Sequence, residues 1–392
     1  MNQKNIKISV ILSIFGNDGN LFKTLTCLSN QIRVPDELVI VNSLHKIDID
    51  KIIEQFKDRL KINYFFSEMR LMPGGSRNLG LLKARFPVAA FIDSKTFPVK
   101  SWLEDSLKQL QSSKASIIFG TTQYKAHSEI QNIFILSTYG KNPVMSVPGT
   151  VLLKDIARDL GEFDATVRAG EDLEWKDRVE HSKTIKAQQS LGVNMFYNIT
   201  SNNIFQEFFR SARNSWASSA INAQLNTRIL IFGLSSLSLM MITPYWNRFL
   251  GGLIFIPNVT KIYILAMMIF LVGLYLISPK NFKYFSTFFF IPLVIILFFL
   301  QYFNPGLLTI TLGNEFEVRN LNYLFFIGLF IIGFAFRAFI APLRLGAKWN
   351  ELMPIRWIYM GFFGLVNDVV KVPGYLRGAI LSMRMMIKKY RS

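Results

Sequence analysis

Two acids stand side by side, Glu171 and Asp172, directly behind Gly170 in the segment GEFDATVRAGEDLEWKDR (161–178). A carboxylate at the mouth of a crevice can take the proton of an attacking hydroxyl, with Asp172 as the candidate base and Glu171 orienting it or meeting the acceptor. Helix first turns also collect acids, because the dipole favours negative charge there, so the pair alone admits a purely structural reading. Upstream, GGSRNLGL (74–81) offers Gly74 and Gly75 for close backbone approach, and Arg77 and Asn78 as donors suited to a diphosphate or a base edge. The same stretch reads equally as a loop entering a helix, with Gly75 and Ser76 as caps. In FIDSKTFP (91–98), Asp93 is followed two positions on by Lys95, whose ammonium donates hydrogen bonds and coordinates no cation. One cysteine excludes an internal disulfide, and the three histidines lack zinc-ligand spacing.

The elements that must position these residues alternate. KISVILSIFG, DELVIVNS, INYFFS and VAAFIDS are β-rich runs, separated by helical stretches such as LFKTLTCLSNQI and IDKIIEQFKDRL, which predicts parallel β-α-β units. Open sheets of this kind bind ligands beyond the carboxyl ends of their strands, where Phe15, Asn42 and Asp93 fall. The start, MNQKNIKISVILSIFG, carries too short an apolar run for a signal segment and reads as a buried strand.

Composition adds a membrane. The hydrophobic fraction is 51% with 36 Phe, more than an ordinary soluble core needs, and of the net +18 most lies after residue 205. Apolar runs at 229–246, 262–278, 284–303 and 321–341 each approach the roughly 20 residues that cross a bilayer. Lys280 and Lys283 in one short loop and a basic tail place both ends on the cytoplasmic side of the cell (inner) membrane. Residues 205–227 read as an amphipathic interfacial helix with an apolar stripe of Phe205, Phe208, Phe209, Ala212 and Trp216, beside Arg210 and Arg213. The tail 343–392 mixes apolar clusters with Arg356, Lys371, Arg377, Arg384, Lys388 and Lys389 and reads as lying in the headgroup plane. Positive-inside bias accounts for this charge, and no nucleic-acid module is visible, so nucleic acid is not an expected partner.

SVILSIFGN, LSNQIRVPDELVIVNS, GGSRNLGL, FIDSKTFPVKSWLE and GEDLEWKDR, in this order and at these separations, resemble the GT-A fold glycosyltransferases of family 2 over residues 7 to about 215. The resemblance implies an α/β, Rossmann-like GT-A domain over 1–204, followed by the interfacial helix, an all-α transmembrane region at 228–342 and the tail. It implies an inverting hexosyltransferase acting on a nucleotide-diphosphate sugar. It assigns Asp172 as base with Glu171 beside it, Arg178 as the ion-pair partner that holds the acid helix, and Gly75, Arg77 and Asn78 to the donor with Phe15, Asn42 and Asp93. Apart from the resemblance, the stripe on residues 205–227 reads first as simple anchoring and second as bringing Arg210 and Arg213 near donor or lipid phosphate.

Three departures from the family pattern matter. Lys95 replaces the second acid of the Asp-x-Asp motif, leaving two readings of the Mn or Mg site: an ion held by Asp93 and phosphate oxygens alone, or Lys95 as the positive charge facing the departing diphosphate. Asn42 stands where an aspartate usually reads uracil or ribose, so the sequence names no donor. Gln-x-x-Arg-Trp is missing, which argues against a cellulose- or hyaluronan-like polymerase.

An acceptor confined to the bilayer explains why such a domain would carry spans, since anchoring raises the effective concentration of enzyme and lipid at one surface. The expectation is a lipid-linked acceptor in cell-surface polysaccharide or glycolipid assembly. Two alternatives stand beside it: a polyprenyl-phosphate glycosyltransferase, and a non-catalytic, degenerate transferase-like membrane scaffold that binds nucleotide sugar.

Overall fold

A computed structural model describes residues 6–15, 19–44, 49–199, 203–219, 221, 331, 333–378 and 380–381. The chain divides into two compact units, residues 1–227 with 337–392, and residues 228–336. Of the second unit only residues 331 and 333–336 are described. The expected spans 229–246, 262–278 and 284–303, and residues 321–330 of the fourth, therefore lie outside the described residues. Among the described residues no helix is long and apolar enough to cross a membrane.

The first unit is built on β1 (Ile8–Ile14), β2 (Glu37–Ser43), β3 (Ile62–Ser67) and β4 (Val88–Asp93), with α1 (Leu21–Ser29), α2 (Asp50–Phe56) and α3 (Pro73–Lys83) as the crossovers between them. The strands are parallel and lie in the order β3-β2-β1-β4, the order of a doubly wound Rossmann-like half. Beyond β4 the sheet continues through β5 (Thr96–Pro98), β6 (Ile117–Lys125), β7 (Val144–Leu153), β8 (Ala187–Gln189) and β9 (Met195–Asn198). β7 runs antiparallel between β4 and β6, which turns the far side of the sheet into a mixed one.

Strand sequences such as ISVILSI and ELVIVNS are continuously apolar because both faces are covered. Val10, Leu12, Leu38, Ile40, Val88 and Ala90 point into one core, shared with α1 and with α4 (Trp102–Ser112). The alternate residues Ile11, Val39, Val41, Ala89 and Phe91 point into the other, closed by α3, α6 (Lys154–Leu160) and α7 (Glu171–His181). Gly80 seats α3 on the sheet: a Cβ there would fall 2.2 Å from Cγ2 of Ile11.

α5 (Glu129–Thr138) and α8 (Ile204–Ser218) carry the C-terminal segment, in which α9 (Ala341–Arg344), α10 (Trp349–Leu352) and α11 (Arg356–Val369) follow one another. Ile133 and Leu136 of α5 share a buried cluster with Ala347, Leu352 and Met360, while Phe208 of α8 meets Phe134 at 5.7 Å and Phe363 at 6.0 Å. Two cations read from the sequence as facing headgroups are used within the protein: Arg356 pairs with Glu129 at 2.6 Å, and Arg377 donates to the Trp216 carbonyl at 2.8 Å. The stripe on α8 also divides, because Phe208 turns inward while Phe205, Phe209 and Trp216 stay exposed.

Candidate active site at the carboxyl ends of the strands

The parallel register puts Ile14 opposite Asn42 and Ser13 opposite Asp93, so β1, β2 and β4 end side by side. Phe15 follows β1 and is 46% exposed, with the Arg70 guanidinium 5.3 Å from its ring centre. Asn42 is buried and donates to the Tyr64 hydroxyl at 2.9 Å.

GGSRNLGL is helix rather than loop. α3 begins at Pro73 behind Met72, so Gly75 and Ser76 lie inside its first turn instead of capping it, and proline at N1 accounts for the start. Both glycines face the 161–170 segment: a Cβ on Gly74 would lie 2.2 Å from the Asp164 carbonyl oxygen, and one on Gly75 would lie 3.4 Å from the Ala165 Cβ. Asn78 spends both ends of its amide on one residue, donating to the Phe163 carbonyl at 2.8 Å and accepting from its N–H at 2.9 Å. The close approach read for a ligand is thus made by the protein's own chain, and Asn78 clamps α3 to the loop that precedes the acids.

Arg77 links the two acidic segments. Its Nη1 donates to Glu171 Oε1 at 2.7 Å, and its Nη2 donates to Asp93 Oδ1 and Oδ2 at 3.1 and 3.2 Å. Burial opposes the guanidinium charge, but Asp93 and Glu171 outweigh it and raise the pKa, so Arg77 stays protonated. Burial pushes the Glu171 carboxyl above the usual range, against the pull of Arg77. The network is incomplete: Arg77 Nε and Glu171 Oε2 are buried without a hydrogen-bond partner. In a folded protein such atoms call for an explanation, and a ligand that completes the network is one.

Gly170, at φ +96°, caps α7 in the left-handed region that favours glycine, and so turns Glu171 inward and leaves Asp172 half-buried at the edge. Asp172 lies near enough to Arg77 to support its charge and near enough to Tyr124 to oppose ionisation of that phenol. α7 is fixed from beneath by Trp175, stacked on Phe163 at 4.8 Å and set edge-on to Phe119 at 6.0 Å. Arg178 pairs with Glu174 at 2.7 Å and donates to the carbonyls of Leu160 and Glu162, tying the helix to the chain before it.

Lys95 forms no ion pair with the acid network, and its charge instead reaches Glu207 of α8. With Lys23, Asn20, Phe97, His127 and Asn198 it lines a cavity of about 210 Å³. The donor set does not fit a divalent ion held by the chain, because both Asp93 oxygens accept from Arg77 and the residue two positions on is a cation. Among the described residues no three His, Cys, Asp or Glu side chains form a group that could hold one.

A tyrosine cluster bordering Asp172 has no signature in the sequence. Tyr124 stacks on Tyr139 at 3.9 Å and leans on Tyr197 at 5.3 Å, and Arg210 of α8 donates to the Tyr197 hydroxyl at 3.0 Å while pairing with buried Glu207. Burial, and then its two tyrosine neighbours, raise the Tyr124 pKa. These residues come from β6, the cap after α5, β9 and α8, too far apart in sequence for any spacing rule to join them. Arg213, on the same helix as Arg210, is exposed.

Residues 9–140 match the model of the family described as Glycosyl transferase family 2. This stretch contains Arg77, Asp93 and Lys95 and ends before Glu171 and Asp172. A chondroitin synthase of Pasteurella multocida is 28% identical over 123 residues, which are 31% of this chain and 13% of that protein. The glycosyltransferase AglE of Haloferax volcanii is 20% identical over 185 residues, 44% of this chain and 60% of that protein. The chain thus spans a small part of the synthase and somewhat more than half of AglE. Among solved structures, S. aureus TarS 1–349 in complex with UDP-GlcNAc superposes with a TM-score of 0.41 at 16% identity, covering 63% of this chain and 80% of that one.

Proposed function

We propose that the protein is a membrane-anchored, inverting glycosyltransferase of the family 2 type that moves a sugar from a nucleotide diphosphate to a lipid-linked acceptor. The observation that carries this reading is the Asp93–Arg77–Glu171 network. It joins the end of β4, inside the family-matched stretch, to the start of α7, outside it, which supports a crevice shared by Asp172 and the strand ends.

In this reading Asp172 takes the acceptor hydroxyl proton as the oxygen attacks the anomeric carbon from the side opposite the diphosphate. Glu171, locked on Arg77, orients the neighbouring backbone and meets acceptor hydroxyls through its free oxygen. Phe15 and Asn42 border the nucleotide. Lys95, with Lys23 in the same cavity, carries the positive charge that faces the departing diphosphate. No step is assigned to a metal, since the Asp93 carboxylate is already committed to Arg77.

Exposed apolar side chains support the membrane reading. From Ile355, which caps α11, Tyr359, Phe362, Val366 and Val369 recur at three- and four-residue spacing on its outer side, while Met360 and Gly364 face inward. Phe205, Phe209 and Trp216 do the same on α8. Two such stripes on neighbouring helices exceed what a water-facing surface carries and suit a lipid surface.

The test is transfer from a radiolabelled sugar nucleotide to membrane lipid by the purified protein in detergent. Asp172→Asn should lose at least about a thousandfold in kcat while its affinity for UDP or GDP stays within about twofold. Unchanged transfer by that variant would falsify the assignment of the base. Lys95→Ala should lose about a hundredfold, and the wild-type rate should survive EDTA. Full loss on chelation with recovery on adding manganese would overturn the role given to Lys95.

A further inference from the structure

Each of the three elements around Asp172 carries one arginine with an acid partner and one without. On α3 and the segment before it, Arg77 binds Asp93 and Glu171, whereas Arg70 lies exposed against Phe15. On α7 and its leading loop, Arg178 binds Glu174, whereas Arg168 is exposed four residues ahead of Asp172. On α8, Arg210 binds Glu207, whereas Arg213 is exposed one turn further on. Among the described residues none of Arg70, Arg168 and Arg213 has an acidic partner.

The elements that bear the three unpaired guanidinia adjoin one another. The segment bearing Arg70 leads into α3, whose Gly74 and Gly75 abut Asp164 and Ala165 of the loop bearing Arg168. α8 comes in from the other side, where Arg210 reaches Tyr197 beside Tyr124, the phenol that feels the Asp172 charge. The Arg168 guanidinium is accordingly held below the ordinary arginine range, by partial burial first and then by the like charges of Arg213 and Arg70. Like charges without ion-pair partners repel one another, and an arriving anion relieves the repulsion.

We infer that Arg70, Arg168 and Arg213 receive a phosphate group presented by the acceptor, so that the acceptor is a phosphate- or diphosphate-bearing lipid rather than a neutral glycolipid. Forked guanidinium donors match phosphate oxygens in geometry as well as charge. Arg168 lies on the loop that delivers the base, which sets the bound anion beside the hydroxyl that Asp172 activates. The lysines assigned to the donor diphosphate line a cavity with Asn20 and His127 that includes none of the three arginines. Arg213 shares its helix with Phe209 and Trp216, whose exposed rings suit the depth at which lipid headgroups lie. This inference deepens the proposed transferase reading and rests on it for the identity of the acceptor.

The experiment measures binding of farnesyl diphosphate, farnesol, UDP and GDP to the full chain in detergent. Wild type should bind farnesyl diphosphate at least ten times more tightly than farnesol. The R168Q/R213Q double variant should lose about tenfold of that preference, and R168K/R213K should lose less, while nucleotide affinities stay within twofold. Equal affinity for the diphosphate and the alcohol would overturn the inference. So would a fall in UDP or GDP binding, which gives the cluster to the donor. An equal fall in adsorption to phosphatidylglycerol vesicles free of prenyl diphosphate, which gives it to bulk headgroups, would overturn it as well. Farnesyl diphosphate binding by Asp172→Asn separates this site from the chemistry: if that variant binds the probe and still transfers sugar, the base assignment fails and the phosphate site stands.

Discussion

The sheet of the first unit has a buried acid bonded to an arginine at each end, and the two are completed differently. At the amino end Glu37 opens β2 with its side chain fully buried, accepting from Ser9 Oγ at 2.7 Å, Asn63 Nδ2 at 2.6 Å, and the Arg85 N–H and Nε at 3.0 and 2.7 Å. At the carboxyl end Glu171 holds Arg77 with one oxygen and has nothing on the other, and Arg77 keeps an unused Nε. Burial pushes Glu37 upward too, but the Arg85 N–H, Ser9 and the Arg85 guanidinium outweigh it and hold its pKa below the usual carboxylate range. Burial wins at Glu171, which is pushed up. A closed network locks the fold, whereas an open one leaves hydrogen-bonding capacity for something that arrives.

The comparison would break most visibly at Arg77. Arg77→Met leaves Asp93 and Glu171 as neighbouring acids without their common partner, so a loss of about 3–5 kcal/mol in denaturant unfolding is expected, with transfer abolished. A variant that melts like wild type would show that the network does not bind β4 to α7.

A finer contrast lies between the two glutamates. Glu37→Gln should cost about 2 kcal/mol and leave kcat per folded molecule unchanged, since it removes charge-assisted bonds far from the strand ends. Glu171→Gln should change stability by less than about 1 kcal/mol, because a Gln oxygen still accepts from Arg77 and Asp93 keeps the guanidinium paired, yet lower kcat at least about tenfold. Their pH dependences should run in opposite senses. The folded pKa of Glu37 is depressed, so its contribution is present above the unfolded value of about 4.3 and is lost as pH falls through the folded one. The folded pKa of Glu171 is raised, so its favourable share is present below about 4.3 and is lost as pH rises through the folded value. Urea titrations of both variants and wild type between pH 3.5 and pH 7, at about half-unit steps, read the two slopes directly. Parallel slopes would erase the distinction between a locking acid and a waiting one.

Local chemistry in the sequence accounts for much of this architecture. Continuous apolar strands with helical crossovers announce a parallel sheet covered on both faces, and strand-end positions then fall together at Phe15, Asn42 and Asp93 because parallel strands share one direction. Gly170 followed by Glu171 and Asp172 announces a helix start with acids in its first turn. The expectation of membrane spans came in the same way, from run length alone, and the segments it names lie almost wholly outside the described residues.

Other features needed partners that no spacing reveals. Arg77 and Asn78 read as donors for a diphosphate or a base edge, but residues separated from them by more than eighty positions on the chain, Glu171 and Phe163, claim their hydrogen bonds. Arg356 and Arg377 read as headgroup ligands until Glu129 and Trp216 came within reach. The tyrosines around Arg210, and the three arginines left unpaired beside Asp172, exist as groups only once β6, α5, α7, β9 and α8 are packed.

What the chain determined by itself is therefore what depends on neighbours in sequence: strand, helix, turn, and the charge each element brings. Which charges cancel and which remain open depends on distances between elements, and a pair of side chains attracts or repels only after the backbone has brought it within a few ångströms. Packing alone decided that Glu37 would be satisfied and Glu171 left half-bonded.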